Sequence, residues 1–128
     1  MILGIGVDLA EVDRIRDALE RPATGGRFRS RVFTAGEQAY CERRRRKYES
    51  YAARFAAKEA VMKALGRGWS REVAWIEIEV VRQRGGRPTI QLHGKTRAFA
   101  ERLGVRHMHL ALTHTAETAM AEVVAETE

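Results

Sequence analysis

The chain has 128 residues and a mass of 14.5 kDa, enough for one domain with a single modest core. No apolar run approaches the roughly 20 residues that a membrane helix needs, and the first residues lack the basic flank and apolar stretch of a signal peptide. Cys41 is the single cysteine, which excludes an intrachain disulfide and a cysteine-based zinc site. We therefore expect one domain over residues 1–128 that is cytoplasmic and binds no membrane.

The positive charge is concentrated in one segment. Residues 27–47 hold eight basic and two acidic side chains, whereas the other 107 residues carry 15 of each sign. The whole net charge of +6 therefore comes from this segment. A local excess of this kind indicates a patch that faces an anionic partner, although charge runs are often only solvated surfaces.

The first half of the chain predicts one strand followed by helices. Residues 2–8 have the pattern of a short buried strand, and Gly4 and Gly6 would permit a close backbone approach. Helical spacing runs from Glu11 to Pro22, and a loop at Thr24–Gly26 precedes a short amphipathic turn around Phe28, Val32 and Phe33. Thr34 and Glu37 form a capping-box pattern, and residues 49–65 form the clearest helix, ended by Gly66.

The second half predicts strands around one helix. The predicted strands are 74–82, 88–92, 107–113 and 118–125, the predicted helix is 94–103, and Arg84–Arg87 is a hairpin turn. This order is typical of an α+β fold with an antiparallel sheet packed on a long helix, and it argues against repeated βαβ units.

Two regions carry residue types suited to phosphate chemistry. Asp8 stands where the first strand meets solvent, a frequent position for an active-site carboxylate, although it could simply cap the next helix. Glu59 and Lys63 are four residues apart on the long helix, opposite its apolar arc. They are either an exposed surface pair or a ligand for a hard cation beside a phosphate-binding amine.

A third candidate site is the turn at Thr113-His114-Thr115. Its imidazole and hydroxyls could clamp a phosphate, or they could satisfy local backbone groups. His107 and His109 share a strand face that His114 does not, which argues against a histidine metal site.

Three motifs occur together in the order Gly4-Ile5-Gly6-Val7-Asp8 with Arg14-Ile15, Arg54-Phe55-Ala56-Ala57-Lys58-Glu59 with Lys63-Ala64-Leu65-Gly66, and Leu112-Thr113-His114-Thr115. Taken together they resemble the small bacterial holo-[acyl-carrier-protein] synthases, a short-chain class of 4′-phosphopantetheinyl transferases. The resemblance covers almost the whole chain, including the Gly86-Arg87-Pro88 turn and the last strand.

The resemblance implies that the 4′-phosphopantetheine arm of coenzyme A passes to a serine of apo acyl carrier protein in fatty acid biosynthesis, releasing adenosine 3′,5′-bisphosphate. It implies that Asp8, Glu59 and Lys63 are catalytic, with Asp8 and Glu59 holding Mg²⁺ and Lys63 contacting the phosphates. The further coenzyme A contacts that it implies are Arg54, Gly66, Arg87, Pro88, His114 and Thr115. Glu59 and a water on the metal are both candidates for the base that deprotonates the serine.

The resemblance also implies partners. Acyl carrier proteins are acidic, and family members dock them on the first helix with an arginine at the position of Arg14; we add Arg21, Arg27 and Arg29 to the predicted docking set. Family members look like homotrimers with active sites between subunits.

Two readings compete with a transferase. A nucleic-acid-binding protein would explain the basic segment, but no helix-turn-helix, zinc or RNP-like motif is recognisable, so we expect no nucleic acid partner. An interaction module without catalysis would make Asp8, Glu59 and Lys63 coincidences.

Overall fold

The long helix lies against a three-stranded antiparallel sheet, and a separate hairpin packs beside it. The computed structural model describes residues 1–83 and 85–128. The helices are α1 (Val12–Glu20), α2 (Gly25–Val32), α3 (Ala35–Glu42), α4 (Lys47–Leu65) and α5 (Gly94–Leu103), with a 3₁₀ turn at Trp75–Glu77. The strands are β1 (Ile2–Glu11), β2 (Ile78–Arg82), β3 (Pro88–Leu92), β4 (His107–His114) and β5 (Thr118–Glu126).

The strands form two antiparallel sheets rather than one. The larger sheet has the order β1-β5-β4, and β2 pairs only with β3. The α+β fold with an antiparallel sheet packed on the long helix is therefore confirmed, and the β2–β3 hairpin adds a second, smaller sheet. Arg84, in the predicted hairpin turn, lies outside the described residues.

Two glycines allow β1 to lie directly on α4. A β-carbon at Gly4 would overlap the carbonyl oxygen of Ala64, and one at Gly6 would overlap that of Ala60. The close approach predicted from these glycines is confirmed. It brings the next inward-facing residue of the strand, Asp8, beside the same helix.

A fully buried ion pair joins three elements around α4. Lys58 Nζ lies 2.8 Å from Glu37 Oε1, and it also donates to the carbonyl oxygens of Trp75, at 3.0 Å, and Ile78. Glu37 in turn accepts from the backbone nitrogen of Val80 at 2.8 Å. Burial lowers the pKa of Lys58, and the Glu37 carboxylate opposes that shift. The pair fixes α4 against α3 and the β2–β3 hairpin.

Two local predictions need correction, and a third is confirmed. The helix α2 begins at Gly25, within the predicted loop, because Gly25 packs against the carbonyl oxygen of Leu19, where a β-carbon would overlap. The predicted strand 74–82 starts with a 3₁₀ turn, whose carbonyl oxygen at Trp75 faces Lys58. The capping box at Thr34 and Glu37 is confirmed.

The first strand is longer than predicted and is buried on one face only. Leu3, Ile5, Val7 and Leu9 point away from α4, and Ile5 and Leu9 are 57% and 64% exposed. Before Asp8 the strand looks uniformly apolar in the sequence, because both of its faces carry apolar residues or glycine. Only the side toward α4 is covered in the single chain.

The thiol of Cys41 is buried in the core. Desolvation raises its pKa to about 12, although Arg54 acts in the opposite direction. A thiolate is therefore scarce at neutral pH, in agreement with an unreactive cysteine.

None of the helices in the described ranges combines the length and apolarity that a membrane crossing requires.

Candidate active site

Asp8 and Glu59 come together where β1 crosses α4. Both side chains line one cleft of about 490 Å³ between β1, α1 and α4. Asp8 is placed by the inward face of the strand, and Glu59 by the turn of α4 that follows Phe55. The two carboxylates predicted from different motifs are thus neighbours across a strand–helix contact.

Lys63 completes this group from the next turn of α4. Its ammonium donates to Asp8 Oδ1 and to the backbone oxygen of Val7, both at 3.0 Å. Lys63 remains half exposed, so a further partner can reach its ammonium. Gly66 ends the same helix in a left-handed conformation with φ of 75°, three residues beyond Lys63.

The electrostatics of the cleft suit a divalent cation. Burial raises the pKa of Glu59 above its ordinary value, and the negative charge of Asp8 raises it further, while Lys63 lowers it. A cation between the carboxylates would relieve that repulsion. Mg²⁺ is usually held by one or two carboxylates together with substrate phosphate oxygens, so Asp8 and Glu59 fit this ion. Among residues 1–83 and 85–128, no cluster of three or more histidine, cysteine or carboxylate ligands offers a site formed by the protein alone.

The walls of the cleft are basic and aromatic. Arg14 and Arg21 come from α1 and its C-terminal end, and Phe28 and Phe55 close the other side with ring centroids 6.2 Å apart. The aromatic residues were not predicted as site residues, because in the sequence Phe28 and Phe55 look like ordinary core positions. Their place in the cleft depends on how α2 packs on α4.

His114 lies in a second pocket at the other end of α4. Its Nδ1 is 3.0 Å from Glu49 Oε1. This arginine pocket has a volume of about 430 Å³ and is lined by Arg43, Arg44, Arg45, Arg46, Glu49, Ser50 and His114. Glu49 and Glu59 are ten residues apart, or about 15 Å along the helix axis. The predicted metal residues and His114 therefore occupy separate pockets of one chain.

Other predicted coenzyme A contacts lie near the arginine pocket or outside both pockets. The buried guanidinium of Arg54 stacks on Tyr40 at 4.1 Å and donates to the backbone oxygen of Ser50 at 3.5 Å. The hydroxyl of Thr115 accepts from the backbone nitrogen of Thr118 at 3.1 Å within its own turn. Pro88 begins β3 and Arg87 directly precedes it, and both face β4 across a smaller cavity.

The basic residues of segment 27–47 do not form one patch. Arg27 and Arg31 face a groove on the far side of α2, whereas Arg29 is half-buried near Tyr51 and Glu42. The run Arg43–Arg46 lines the arginine pocket. Among the described residues, Arg14 and Arg21 are therefore the only residues of the predicted docking set that line the cleft with Asp8 and Glu59.

Comparison with known proteins gives one consistent family. Residues 4–121 match a family model described as the 4′-phosphopantetheinyl transferase superfamily. The holo-[acyl-carrier-protein] synthase of Solibacter usitatus is 54% identical, over 98% of this chain and 99% of that protein.

Solved structures agree with the sequence comparison. The holo-[acyl-carrier-protein] synthase from Neisseria meningitidis superposes with a TM-score of 0.87 at 30% identity, covering 98% of this chain and 99% of the other. The enzyme from Bacillus anthracis in complex with CoA (3′,5′-ADP) has a TM-score of 0.80 at 34% identity and covers 100% and 99%. The chain described here therefore belongs to the 4′-phosphopantetheinyl transferase superfamily and, within it, to the holo-[acyl-carrier-protein] synthases.

Proposed function

We propose that this chain transfers the 4′-phosphopantetheine arm of coenzyme A to a serine hydroxyl of apo acyl carrier protein in fatty acid biosynthesis. The reaction depends on Mg²⁺ and releases adenosine 3′,5′-bisphosphate. The observation that carries this proposal is the pair of carboxylates Asp8 and Glu59 in one cleft, with the ammonium of Lys63 donating to Asp8. We further propose that residues 1–128 act as one cytoplasmic domain, supported by the single core and the single cysteine.

Each residue of the cleft has a role that its position supports. Asp8 and Glu59 would hold Mg²⁺, which neutralises charge on the coenzyme A pyrophosphate when bound. We call the cleft that these two carboxylates line the metal cleft. Lys63 presents a half-exposed ammonium beside them and would bind phosphate oxygens. Phosphoryl transfer needs mainly positioning and charge stabilisation, which are what these three groups would supply.

The direct test of the function is a transfer assay with purified components. The chain, coenzyme A, Mg²⁺ and an apo acyl carrier protein are expected to give a carrier heavier by one phosphopantetheine arm, with a matching amount of adenosine 3′,5′-bisphosphate. A carrier mass that stays unchanged with several apo-carriers would overturn the proposal. A duplex or single-stranded nucleic acid is expected neither to bind tightly nor to replace the carrier.

We propose that His114 and the arginine pocket bind the 3′-phosphate of coenzyme A, together with the neighbouring Thr115 and Arg54. The pocket combines four arginines with an imidazole that Glu49 orients at 3.0 Å. Gly66, Arg87 and Pro88 are proposed as further contacts along the ligand. Gly66 caps the end of α4 three residues after Lys63, Pro88 begins β3, and Arg87 directly precedes it. Arginine is well suited to phosphate because its planar guanidinium donates two parallel hydrogen bonds.

A pair of alanine variants separates the two phosphate sites. Lys63→Ala is expected to lower kcat, because its ammonium lies beside the reacting phosphate in the proposed complex. His114→Ala is expected to raise the KM for coenzyme A several-fold, with a smaller change for dephospho-coenzyme A, which lacks the 3′-phosphate. Steady-state kinetics with both substrates measures this, and equal losses of His114→Ala with both would contradict a 3′-phosphate role.

We propose that the chain forms a homotrimer with active sites between subunits. The outer face of the β1-β5-β4 sheet exposes Leu3, Ile5, Val7, Leu9 and Met120, an apolar surface of the kind that a subunit interface covers. The separation of the metal cleft from the arginine pocket adds support, since a neighbouring copy can place its arginine pocket at the cleft. Cyclic trimers are a closed symmetry that permits such shared sites.

Charge on the outer sheet face should break the trimer. Ile5→Arg is expected to give a monomer with less than about a tenth of the normal activity, because three guanidinium groups would be desolvated in the interfaces. Gln91→Arg, on an exposed position of the β2–β3 sheet, serves as the matched control and should leave the assembly intact. Light scattering gives the mass of each variant, and a fully active monomer would contradict sites between subunits.

We propose that Arg14 and Arg21 receive the acidic carrier protein at the cleft. Arg27, which faces the groove on the far side of α2, and the half-buried Arg29 complete the proposed docking set. Arg14→Glu is expected to raise the KM for the carrier at least about tenfold and to leave that for coenzyme A nearly unchanged. Raising the salt concentration from about 0.05 M to 0.5 M should also weaken carrier binding, because the Debye screening length becomes several-fold shorter. If neither Arg14→Glu nor the higher salt concentration changes the KM for the carrier, this docking role is contradicted.

A further inference from the structure

An exposed tryptophan lies on the side of α2 that faces away from the metal cleft. Trp69 is 61% exposed, and Ile76 beside it is 38% exposed. They line a groove of about 450 Å³ with Arg27, Ser30, Arg31, Ala74 and Trp75. We call this surface the Trp69 groove. Large apolar side chains that remain this exposed often mark an interaction site.

The Trp69 groove is continuous with the metal cleft through a row of aromatic rings. Phe28 and Phe55 line the cleft, and Phe55 stacks on Trp75 of the groove with centroids 5.1 Å apart and an interplanar angle of 18°. Arg27 and Phe28 are neighbours on α2 but face the groove and the cleft, respectively. The helix is thus a ridge with a recognition surface on each side.

The charge of the Trp69 groove is of one sign. Its lining within the described residues contains Arg27 and Arg31 and no carboxylate. A partner that fills it must bring an apolar side chain with acidic groups around it. These are the properties expected of an acidic carrier protein, and a protein seated on the ridge of α2 would reach both surfaces. The ridge is eight residues long, or about 12 Å, which one globular partner easily spans.

We infer that the Trp69 groove is a second docking surface for the acyl carrier protein, outside the cleft where transfer takes place. Trp69 and Ile76 anchor an apolar side chain of the carrier, and Arg27 and Arg31 pair with its carboxylates. This inference rests on the proposed transfer to a carrier protein. Tryptophan and arginine are the residue types that most often dominate the energy of an interface.

The test compares the KM for the carrier with the KM for coenzyme A. Trp69→Ala is expected to raise the carrier KM about tenfold or more, with kcat and the KM for coenzyme A within twofold of the unchanged chain. Ile76→Ser should act in the same direction, and Trp69→Phe should recover most of the loss. Leu103→Ala, an exposed apolar position on α5, is the control and should behave like the unchanged chain.

Fluorescence gives a second readout that does not depend on turnover. The chain has two tryptophans, so a tryptophan-free carrier should shift the emission of the unchanged chain to the blue, and Trp69→Phe should remove most of that shift. If the unchanged chain transfers the arm while Trp69→Ala keeps its carrier KM within twofold, the groove inference alone is wrong. If the unchanged chain transfers nothing, the proposed function is wrong. A change in the mass of Trp69→Ala by light scattering would instead assign the groove to contacts between copies and overturn the inference.

Discussion

Replacing Asp8 or Glu59 by alanine is expected to lower transfer to the carrier at least about a hundredfold, while the protein stays folded. Each change removes one of the two carboxylates that meet in the cleft, and a metal ion that neutralises a pyrophosphate lowers the activation barrier by several kcal/mol. The loss should appear in kcat at saturating coenzyme A and millimolar Mg²⁺. Circular dichroism and the melting temperature report whether the fold survives.

A direct binding measurement shows whether the loss comes from the metal. Calorimetry or electron paramagnetic resonance with Mn²⁺ and coenzyme A should detect tight binding to the unchanged chain and much weaker binding to either variant. Glu101→Ala removes an exposed carboxylate on α5 that pairs with Arg97, and this variant should bind the metal and turn over normally. Near-normal turnover of Asp8→Ala or Glu59→Ala would show that the two carboxylates do not hold the ion together.

Replacing Lys58 by methionine is expected to destabilise the fold by about 3–5 kcal/mol. The substitution leaves the Glu37 carboxylate buried without its counter-ion, and the carbonyl oxygens of Trp75 and Ile78 lose a donor. Urea unfolding, followed by circular dichroism, measures the free energy of unfolding. The exposed pair of Lys47 and Glu42, 3.2 Å apart, offers the control, since Lys47→Ala should cost less than about 1 kcal/mol.

A double variant tests the cause of this loss. Glu37→Gln removes the buried charge but keeps an amide oxygen that can accept from the backbone nitrogen of Val80. The double variant Lys58→Met with Glu37→Gln is therefore expected to be more stable than Lys58→Met alone, because no unpaired charge remains inside. If the double variant loses the sum of the two single losses, the unpaired charge is not what destabilises Lys58→Met.

The local part of this structure follows closely from the sequence. The capping box at Thr34, the end of α4 at Gly66 and the close approach at Gly4 and Gly6 depend on neighbouring residues or on one backbone contact, so their residue types are sufficient evidence. The spacing of Glu59 and Lys63 likewise puts both on one helix face without knowledge of the fold. The three motifs in order then identified the family, which the comparisons confirm.

The contacts between distant segments were decided only by the tertiary structure. Lys58 looks in the sequence like another helix cation, yet it is fully buried because Glu37 lies 21 positions away and meets it in space. The basic segment was expected to form one patch, but the packing of α2 turns Arg27 outward and Arg29 inward. The outer face of β1 is more apolar than the inner face, yet it is the exposed one, because α4 packs on the inner side only. Residue type and spacing thus determined most of the elements and the family, whereas burial, charge pairing and the shape of each surface depend on long-range packing that no local pattern encodes.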